Sequence, residues 1–102
     1  MSDAEHTPPV EPPSPTHPLQ GGCLCGAVRF ELSAPFISAG YCHCTHCRRR
    51  TGTGSSANGR VPQDGFRLLQ GGESLRAYQP ATGVPKLFCT RCGSALFSGE
   101  PL

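Results

Sequence analysis

The chain has 102 residues and a formal net charge of +2, from nine basic and seven acidic residues. A charge this close to neutrality argues against a protein that coats nucleic acid through electrostatics alone. No segment approaches the roughly 18 apolar residues that a membrane-spanning helix needs. With thirteen glycines, no tryptophan and one methionine, the chain can build only a thin apolar core. We therefore expect the fold to need stabilisation beyond that of its apolar core.

Residues 1–19 have the composition of a disordered tail. Six of the eleven prolines lie there, together with Asp3, Glu5 and Glu11 and no lysine or arginine. Such a segment cannot bury an apolar core, and we expect part of it to adopt polyproline II. It has neither the basic start nor the apolar run of a secretory signal. We therefore expect a reducing, cytoplasmic location.

Residues 20–102 are predicted to form one small, mainly β domain. Val28, Phe30 and Leu32 alternate with polar residues, which is typical of a half-buried strand. Further strands are expected at 36–41, 84–89 and 94–98, a helical turn has room only at 44–51, and a glycine-rich turn at 51–56 includes Ser55 and Ser56.

Two features of the later part of the domain concern packing. The segments 66–69 and 75–78 flank Gly71 and Gly72, which resembles a β-hairpin. The five phenylalanines and two tyrosines are expected mostly at strand core positions. Aromatic residues placed in this way do not form the exposed, basic and aromatic surface of a nucleic-acid module.

Seven cysteines lie in three tight groups: Cys23 and Cys25; Cys42, Cys44 and Cys47; Cys89 and Cys92. C-x-C and C-x-x-C spacings let neighbouring thiolates converge on one ion, and a reducing compartment favours metal over disulfides. Tetrahedral zinc holds its sulfurs roughly 3.8 Å apart, so a C-x-C pair must lie where the chain bends. Gly22 and Gly26 beside the first pair supply that conformational freedom.

The spacings predict how the cysteines divide. The two outer pairs, 23/25 and 89/92, are expected to close one four-ligand site, and the central three form a second, local site. Four ligands close a structural zinc, whereas three leave a position free for water or substrate. A second structural zinc, closed by His46 or by a residue far away in sequence, is the alternative for the central group.

The three cysteine blocks resemble one family. They read Gly-Cys-Leu-Cys-Gly-Ala-Val at 22–28, Cys-His-Cys-Thr-His-Cys-Arg at 42–48 and Phe-Cys-Thr-Arg-Cys-Gly-Ser-Ala-Leu-Phe at 88–97. Over about residues 20–98 they are similar to the family of glutathione-dependent formaldehyde-activating enzymes and centromere protein V. The resemblance implies a β-tent fold like that of a Rab guanine-nucleotide-release factor. It also implies two zinc ions, a structural one on Cys23, Cys25, Cys89 and Cys92 and a catalytic one on Cys42, Cys44 and Cys47.

The reaction implied by the resemblance is the addition of the glutathione thiol to formaldehyde, a carbon–sulfur lyase reaction run in reverse. The partners would be a small thiol such as glutathione and an aldehyde, with no nucleic acid and no membrane. Three thiolates already give the zinc site one net negative charge, which favours delivery of a substrate thiolate over Lewis-acid activation. Family members usually continue for a further strand or more after the last block, so an edge of the fold can be missing at Leu102.

Charged residues beside the central cysteines are candidates for substrate binding. Arg48 is predicted to bind a carboxylate of the substrate; a solvated arginine surface at 48–50 is the alternative. His46 can orient a thiolate, act as a general base or complete the site as a fourth ligand, and surface status is the other interpretation. His43 is expected to point away from the ligands if its segment is extended.

Two other functions remain open at this point. One is a zinc-stabilised binding module without catalysis. The other is a zinc ribbon that binds nucleic acid, or an iron site of the rubredoxin type on the two outer cysteine pairs. Rubredoxin sites use two C-x-x-C turns, so the C-x-C pair at Cys23 and Cys25 argues against iron.

Overall fold

The computed structural model describes residues 11–99, and the first ten and last three residues lie outside this range. The eight strands are β1 (Leu19–Gly22), β2 (Arg29–Leu32), β3 (Ser38–Cys42), β4 (Ser56–Arg60), β5 (Phe66–Gln70), β6 (Leu75–Tyr78), β7 (Lys86–Cys89) and β8 (Ala95–Ser98). One α-helix, α1 (Thr45–Thr51), and two short 3-10 turns, Gln63–Gly65 and Gly72–Ser74, complete this part of the chain. The predicted mainly β fold is confirmed.

The strands form three small antiparallel sheets. Their orders are β1-β2-β5, β3-β4 and β6-β7-β8. The strand predicted around Phe30 is present as β2, but its burial does not alternate clearly, because Leu32 is buried whereas Arg29, Phe30 and Glu31 are all half-buried. Val28 immediately precedes the strand and is fully buried.

Aromatic packing joins the two three-stranded sheets. The ring centroid of Phe97 on β8 lies 5.0 Å from that of Phe30 on β2 and 4.9 Å from that of Phe66 on β5, both edge to face. Such pairs stabilise a fold beyond the area that they bury. Both tyrosines contradict the predicted core placement, since Tyr41 is 73% and Tyr78 is 54% exposed.

The predicted hairpin at Gly71 and Gly72 is wrong. The two strands beside it exist, but β5 pairs with β2 and β6 pairs with β7. The 3-10 turn Gly72–Ser74 leads the chain from the first sheet to the third, and Ser74 is buried in it. Gly71 has φ +91°, and a side chain there would meet the backbone of Ala27 and Val28. The glycine pair, which resembles a tight turn in sequence, therefore lies in the connection between two sheets.

The segment 51–56 is a loop only in part. Thr51 ends α1, whereas Ser56, expected in a turn, is buried as the first residue of β4 and pairs with Cys42. The predicted tail lies outside the described residues up to residue 10. From residue 11 onward a tight turn is closed by two backbone hydrogen bonds between Ser14 and His17, of 3.2 and 3.1 Å.

The apolar core is small and contains sulfur. Cys23, Val28 and Cys89 form the buried cluster, with Leu68 and Leu96 packed against it among others. Two of the predicted metal ligands are therefore core residues. In residues 11–99 no helix has both the length and the apolar character required to cross a bilayer.

Candidate metal centres

Four cysteines from two distant parts of the chain meet in one place. Cys23 and Cys25 lie in the turn between β1 and β2, Cys89 is the last residue of β7, and Cys92 lies in the turn before β8. Their four sulfur atoms all lie within 4.8 Å of one another. We call these residues the four-sulfur group.

The sulfur positions in this group fit a tetrahedral zinc ion. The Sγ atoms of Cys23 and Cys25 are 3.6 Å apart, and those of Cys25 and Cys89 are 3.9 Å apart. Tetrahedral zinc places its sulfurs roughly 3.8 Å apart, whereas a disulfide needs about 2.05 Å. All seven cysteines are free. The group therefore offers the donor set of a closed zinc site.

Both turns of the four-sulfur group depend on a glycine in the left-handed region. Gly26 has φ +82° and Gly93 has φ +81°, values that residues other than glycine rarely adopt. The Gly26 N–H donates to the carbonyl oxygen of Cys23 at 3.2 Å, and the Gly93 N–H donates to that of Cys89 at 2.7 Å. These hydrogen bonds close the two turns so that each pair of sulfurs faces the other pair.

Ser94 connects the two turns. Its hydroxyl oxygen accepts a hydrogen bond from the backbone N–H of Leu24 at 3.0 Å and lies 3.2 Å from the Cys92 sulfur. The contact with the Ser94 hydroxyl is the main cause that lowers the pKa of Cys92 to about 5. Sequence reasoning did not single out Ser94, although its place directly after the Cys-x-x-Cys-Gly turn puts it within reach of the sulfurs.

The thiols of this group differ in acidity. The Val28 N–H donates to the Cys23 sulfur at 3.3 Å and lowers the pKa of that thiol. For Cys25 the N–H of Ala27 acts in the same direction, but the sulfur of Cys23 and desolvation together raise its pKa to about 11. The raised pKa of Cys25 opposes formation of its thiolate, and zinc binding acts against it by requiring a deprotonated sulfur.

The central cysteines lie where β3 passes into α1. Cys42 is the last residue of β3, Cys44 is the N-cap of α1, and Cys47 lies in the first turn of the helix. Their sulfur atoms are within 4.8 Å of one another, and we call them the three-sulfur group. The predicted helical turn at 44–51 is confirmed.

The helix begins here because a sulfur acts as its cap. The Cys44 Sγ accepts a hydrogen bond from the backbone N–H of Cys47 at 3.3 Å, as a serine or aspartate oxygen does in other helices. Gly52 ends the helix with φ +70°, and its N–H donates to the carbonyl oxygen of Arg48 at 2.9 Å. Capping and ligand presentation are therefore performed by the same side chain.

The electrostatics of the three-sulfur group separate its thiols. The N–H of Cys47 stabilises the thiolate of Cys44 and lowers its pKa to about 7. The neighbouring sulfurs of Cys42 and Cys44 raise the pKa of Cys47 to about 11. Cys44 is also exposed, so it combines access with thiolate character.

Within residues 11–99, no histidine or carboxylate joins the three sulfurs as a fourth donor. His43 and His46 are both exposed and belong to neither group. Three sulfur donors without a fourth are the ligand set of a zinc site with an open position.

Two cavities adjoin the three-sulfur group. The cysteine-side cavity has a volume of about 450 Å³ and is lined by Cys44, His46, Cys47, Arg49, Arg50, Tyr78, Pro80, Thr82, Gly83 and Lys86. The sheet-side cavity has a volume of about 860 Å³; its lining includes Cys47, Arg50, Asn58, Arg60, Val61, Phe66, Val84, Lys86, Leu96 and Ser98. Cys47, Arg50 and Lys86 line both.

The arginines of α1 differ in where they point. Arg48, the predicted carboxylate-binding residue, is exposed, and its Nη2 lies 3.4 Å from the Thr45 Oγ1. Arg50 is half-buried and lines both cavities. Residues i and i+3 share a helix face, so the spacing from Cys47 could have indicated Arg50. Lys86, far along the chain on β7, had no local signal.

Comparison with known proteins defines the class. The family of glutathione-dependent formaldehyde-activating enzymes matches residues 18–101, and the chain belongs to this family. A Halomonas elongata protein that carries the provisional name of glutathione-dependent formaldehyde-activating enzyme is 33% identical over 89 residues, which cover 81% of this chain and 57% of that protein. The chain therefore spans little more than half the length of this relative.

A solved structure is similar as well. The crystal structure of a Rhodobacter sphaeroides protein superposes with a TM-score of 0.58 and 34% sequence identity. The match covers 76% of this chain and 70% of that one.

Proposed function

We propose that this protein is a zinc-dependent enzyme of the carbon–sulfur lyase type, which joins glutathione and formaldehyde to give S-hydroxymethylglutathione. The observation that carries the proposal is the three-sulfur group, which has no fourth donor among the described residues and opens on two cavities. A site built only for stability needs neither feature.

The residues present divide into two sites with different tasks. Cys23, Cys25, Cys89 and Cys92 would hold a structural zinc ion, and Cys42, Cys44 and Cys47 would hold a second one. When bound there, zinc supplies a free position at which a substrate thiol loses its proton near neutral pH. The seven free thiols require a reducing compartment, and we propose the cytoplasm.

The chemistry is a simple addition. The sulfur of the thiol forms a bond to the formaldehyde carbon, the π bond of the carbonyl breaks, and the thiol proton ends on the former carbonyl oxygen. His46 lines the cysteine-side cavity together with Cys44 and Cys47, so its imidazole lies where it can carry that proton.

The test is the Cys44→Ser variant. Serine is a good N-cap, so the substitution preserves the start of α1 and removes one sulfur ligand. We expect the fold and the structural zinc to persist, while exchange between formaldehyde and glutathione, measured by NMR exchange spectroscopy, falls to the spontaneous rate. Glutathione should also protect the three-sulfur group of the unmodified protein from alkylation, because an exposed thiolate reacts unless it is covered.

Two results would contradict the proposal. One is wild-type exchange no faster than the spontaneous reaction, which would favour the zinc-stabilised binding module. The other is full exchange activity in a Cys44→Ser protein that has lost its second zinc ion, since the reaction would then not need the three-sulfur group.

A further inference from the structure

The two cavities lie side by side at the three-sulfur group, and three residues line both of them. Cys47 and Arg50 reach the boundary from α1, and Lys86 reaches it from the start of β7. A molecule whose sulfur lies at the three-sulfur group therefore has space in two directions. Each direction is bordered by the same two cations.

The charge around this boundary is one-sided. The cysteine-side cavity adds Arg49 to the shared cations, and the sheet-side cavity adds Arg60. No aspartate or glutamate occurs among the described residues that line either cavity. Four cations stand against the single net negative charge of a zinc ion with three thiolates, so the boundary attracts anions.

Lys86 is held by the fold, and Arg50 lies beside it at the boundary of the two cavities. Both side chains are half-buried. Lys86 Nζ donates to the Ser98 hydroxyl oxygen at 3.2 Å, and the backbone of Lys86 pairs with Ser98 and Tyr78 in the third sheet. Partly buried charges are screened less by salt than exposed ones. These two cations can therefore discriminate between ligands, whereas an exposed arginine mainly attracts them.

We propose that Arg50 and Lys86 are specificity-determining residues that select a thiol with a carboxylate on each side of its sulfur, one carboxylate in each cavity. The inference rests on the proposed function, since it assumes that the substrate sulfur binds at the three-sulfur group. A thiol without charges would displace water from both cations and offer them no partner. A thiol with one carboxylate would satisfy one cavity only. The extended thiol with two carboxylates accepts charge-assisted hydrogen bonds from both cations.

Calorimetric titration of the zinc-loaded protein tests this selection without reference to turnover. The probes are glutathione, its dimethyl ester, in which both carboxylates are neutral, and 2-mercaptoethanol. We expect glutathione to bind about 100-fold more tightly than the ester, at about tenfold for each carboxylate. Raising the salt concentration should narrow this preference only in part, because the cations are half-buried.

Single substitutions assign the preference to its residues. Arg50→Gln and Lys86→Gln should each lower the preference for glutathione over the ester about tenfold, and Lys86→Arg should retain it. Arg76→Gln is the matched control, since Arg76 is an exposed cation on β6 that lines neither cavity. Two zinc ions per chain and an unchanged thermal midpoint show that a variant is folded. Lys86→Gln serves as the independent test if Arg50→Gln fails this check.

The outcomes separate this inference from the proposed function. Equal affinity of the wild-type protein for glutathione and its ester overturns it, and so does an unchanged preference in a folded Lys86→Gln protein. If formaldehyde is joined to 2-mercaptoethanol as readily as to glutathione, the enzyme function holds and the inference fails. If glutathione binds selectively but no exchange with formaldehyde occurs, the inference holds and the enzyme function fails.

Discussion

The two cysteine groups use the same ligand atom but differ in burial: two of the four sulfur ligands in the first group are buried, and none of the three in the second is. In the four-sulfur group Cys89 is fully buried and Cys23 is 7% exposed, and both belong to the apolar core. In the three-sulfur group Cys44 is exposed, and no residue of α1 is buried. Because two of the three residues in the buried cluster are cysteines, the stability of the core depends on the metal that they bind. The three-sulfur group lies at the surface, and its geometry depends on the fold around it.

Chain connectivity sharpens this contrast. The four-sulfur group joins a turn near the start of the described chain to one near its end, so an ion there connects the first and third sheets. The three sulfurs of the other group come from six consecutive positions, 42–47. An ion in that group closes no long loop and contributes less to the stability of the fold. The first group is therefore suited to holding the domain together, and the second to exchanging a ligand.

The largest expected effect is the loss of folding in Cys89→Ser. A structural zinc contributes on the order of 10 kcal/mol to a small domain, more than the few kcal/mol of net stability that a core of this size supplies. We expect no cooperative thermal transition in circular dichroism and no bound zinc at the four-sulfur group. Cys44→Ser is the matched control, with the same atom replaced in the surface group and a transition retained. Similar thermal midpoints for the two variants would contradict the division of roles.

Stepwise removal of metal is the next way to test the comparison. A chelator should first release one zinc ion per chain without loss of the β-sheet signal, because the three-sulfur group is open to solvent. The second ion should leave only as the protein unfolds, because two of its four ligands, Cys23 and Cys89, lie in the core. Metal release and circular dichroism followed in the same sample measure both steps. Simultaneous loss of both ions with unfolding would show that the two groups are equally protected.

The sequence was most informative where chemistry restricts geometry. Cysteine spacing predicted a division into four and three sulfurs, and the sulfur atoms lie in those two groups. The helix at Thr45–Thr51 and the strands at Lys86–Cys89 and Ala95–Ser98 were located correctly to within about two residues. Metal ligands must converge on a point, so few arrangements of the chain satisfy a given spacing.

The sequence was least informative where pairing depends on distant residues. β1 (Leu19–Gly22) contains two glycines and follows a proline, and β4 (Ser56–Arg60) contains Asn58 and Gly59, a typical turn pair. Both are strands because a neighbour supplies their hydrogen bonds, β2 for the first and β3 for the second. The connection at Gly71 resembles a hairpin in sequence for the same reason, since local residues do not determine which sheet a strand joins.

The smallest effects in this comparison come from two left-handed glycines, one beside each group. Gly52→Ala changes the C-cap of α1, where an added methyl group meets nothing within 4 Å, so only the backbone cost of about 1 kcal/mol applies. Gly71→Ala adds a methyl group 2.7 Å from the Val28 Cα and in contact with the Ala27 carbonyl. Overpacking of about 1–3 kcal/mol then adds to the backbone cost, for a total of about 3 kcal/mol. Denaturant unfolding of both zinc-loaded variants measures the two costs.

Because Gly71 lies against the residues that follow Cys25, we expect its substitution also to speed the release of the structural zinc, which Gly52→Ala should leave unchanged. Equal losses of stability in the two variants would show that the backbone around Gly71 accommodates a methyl group as easily as the end of α1 does.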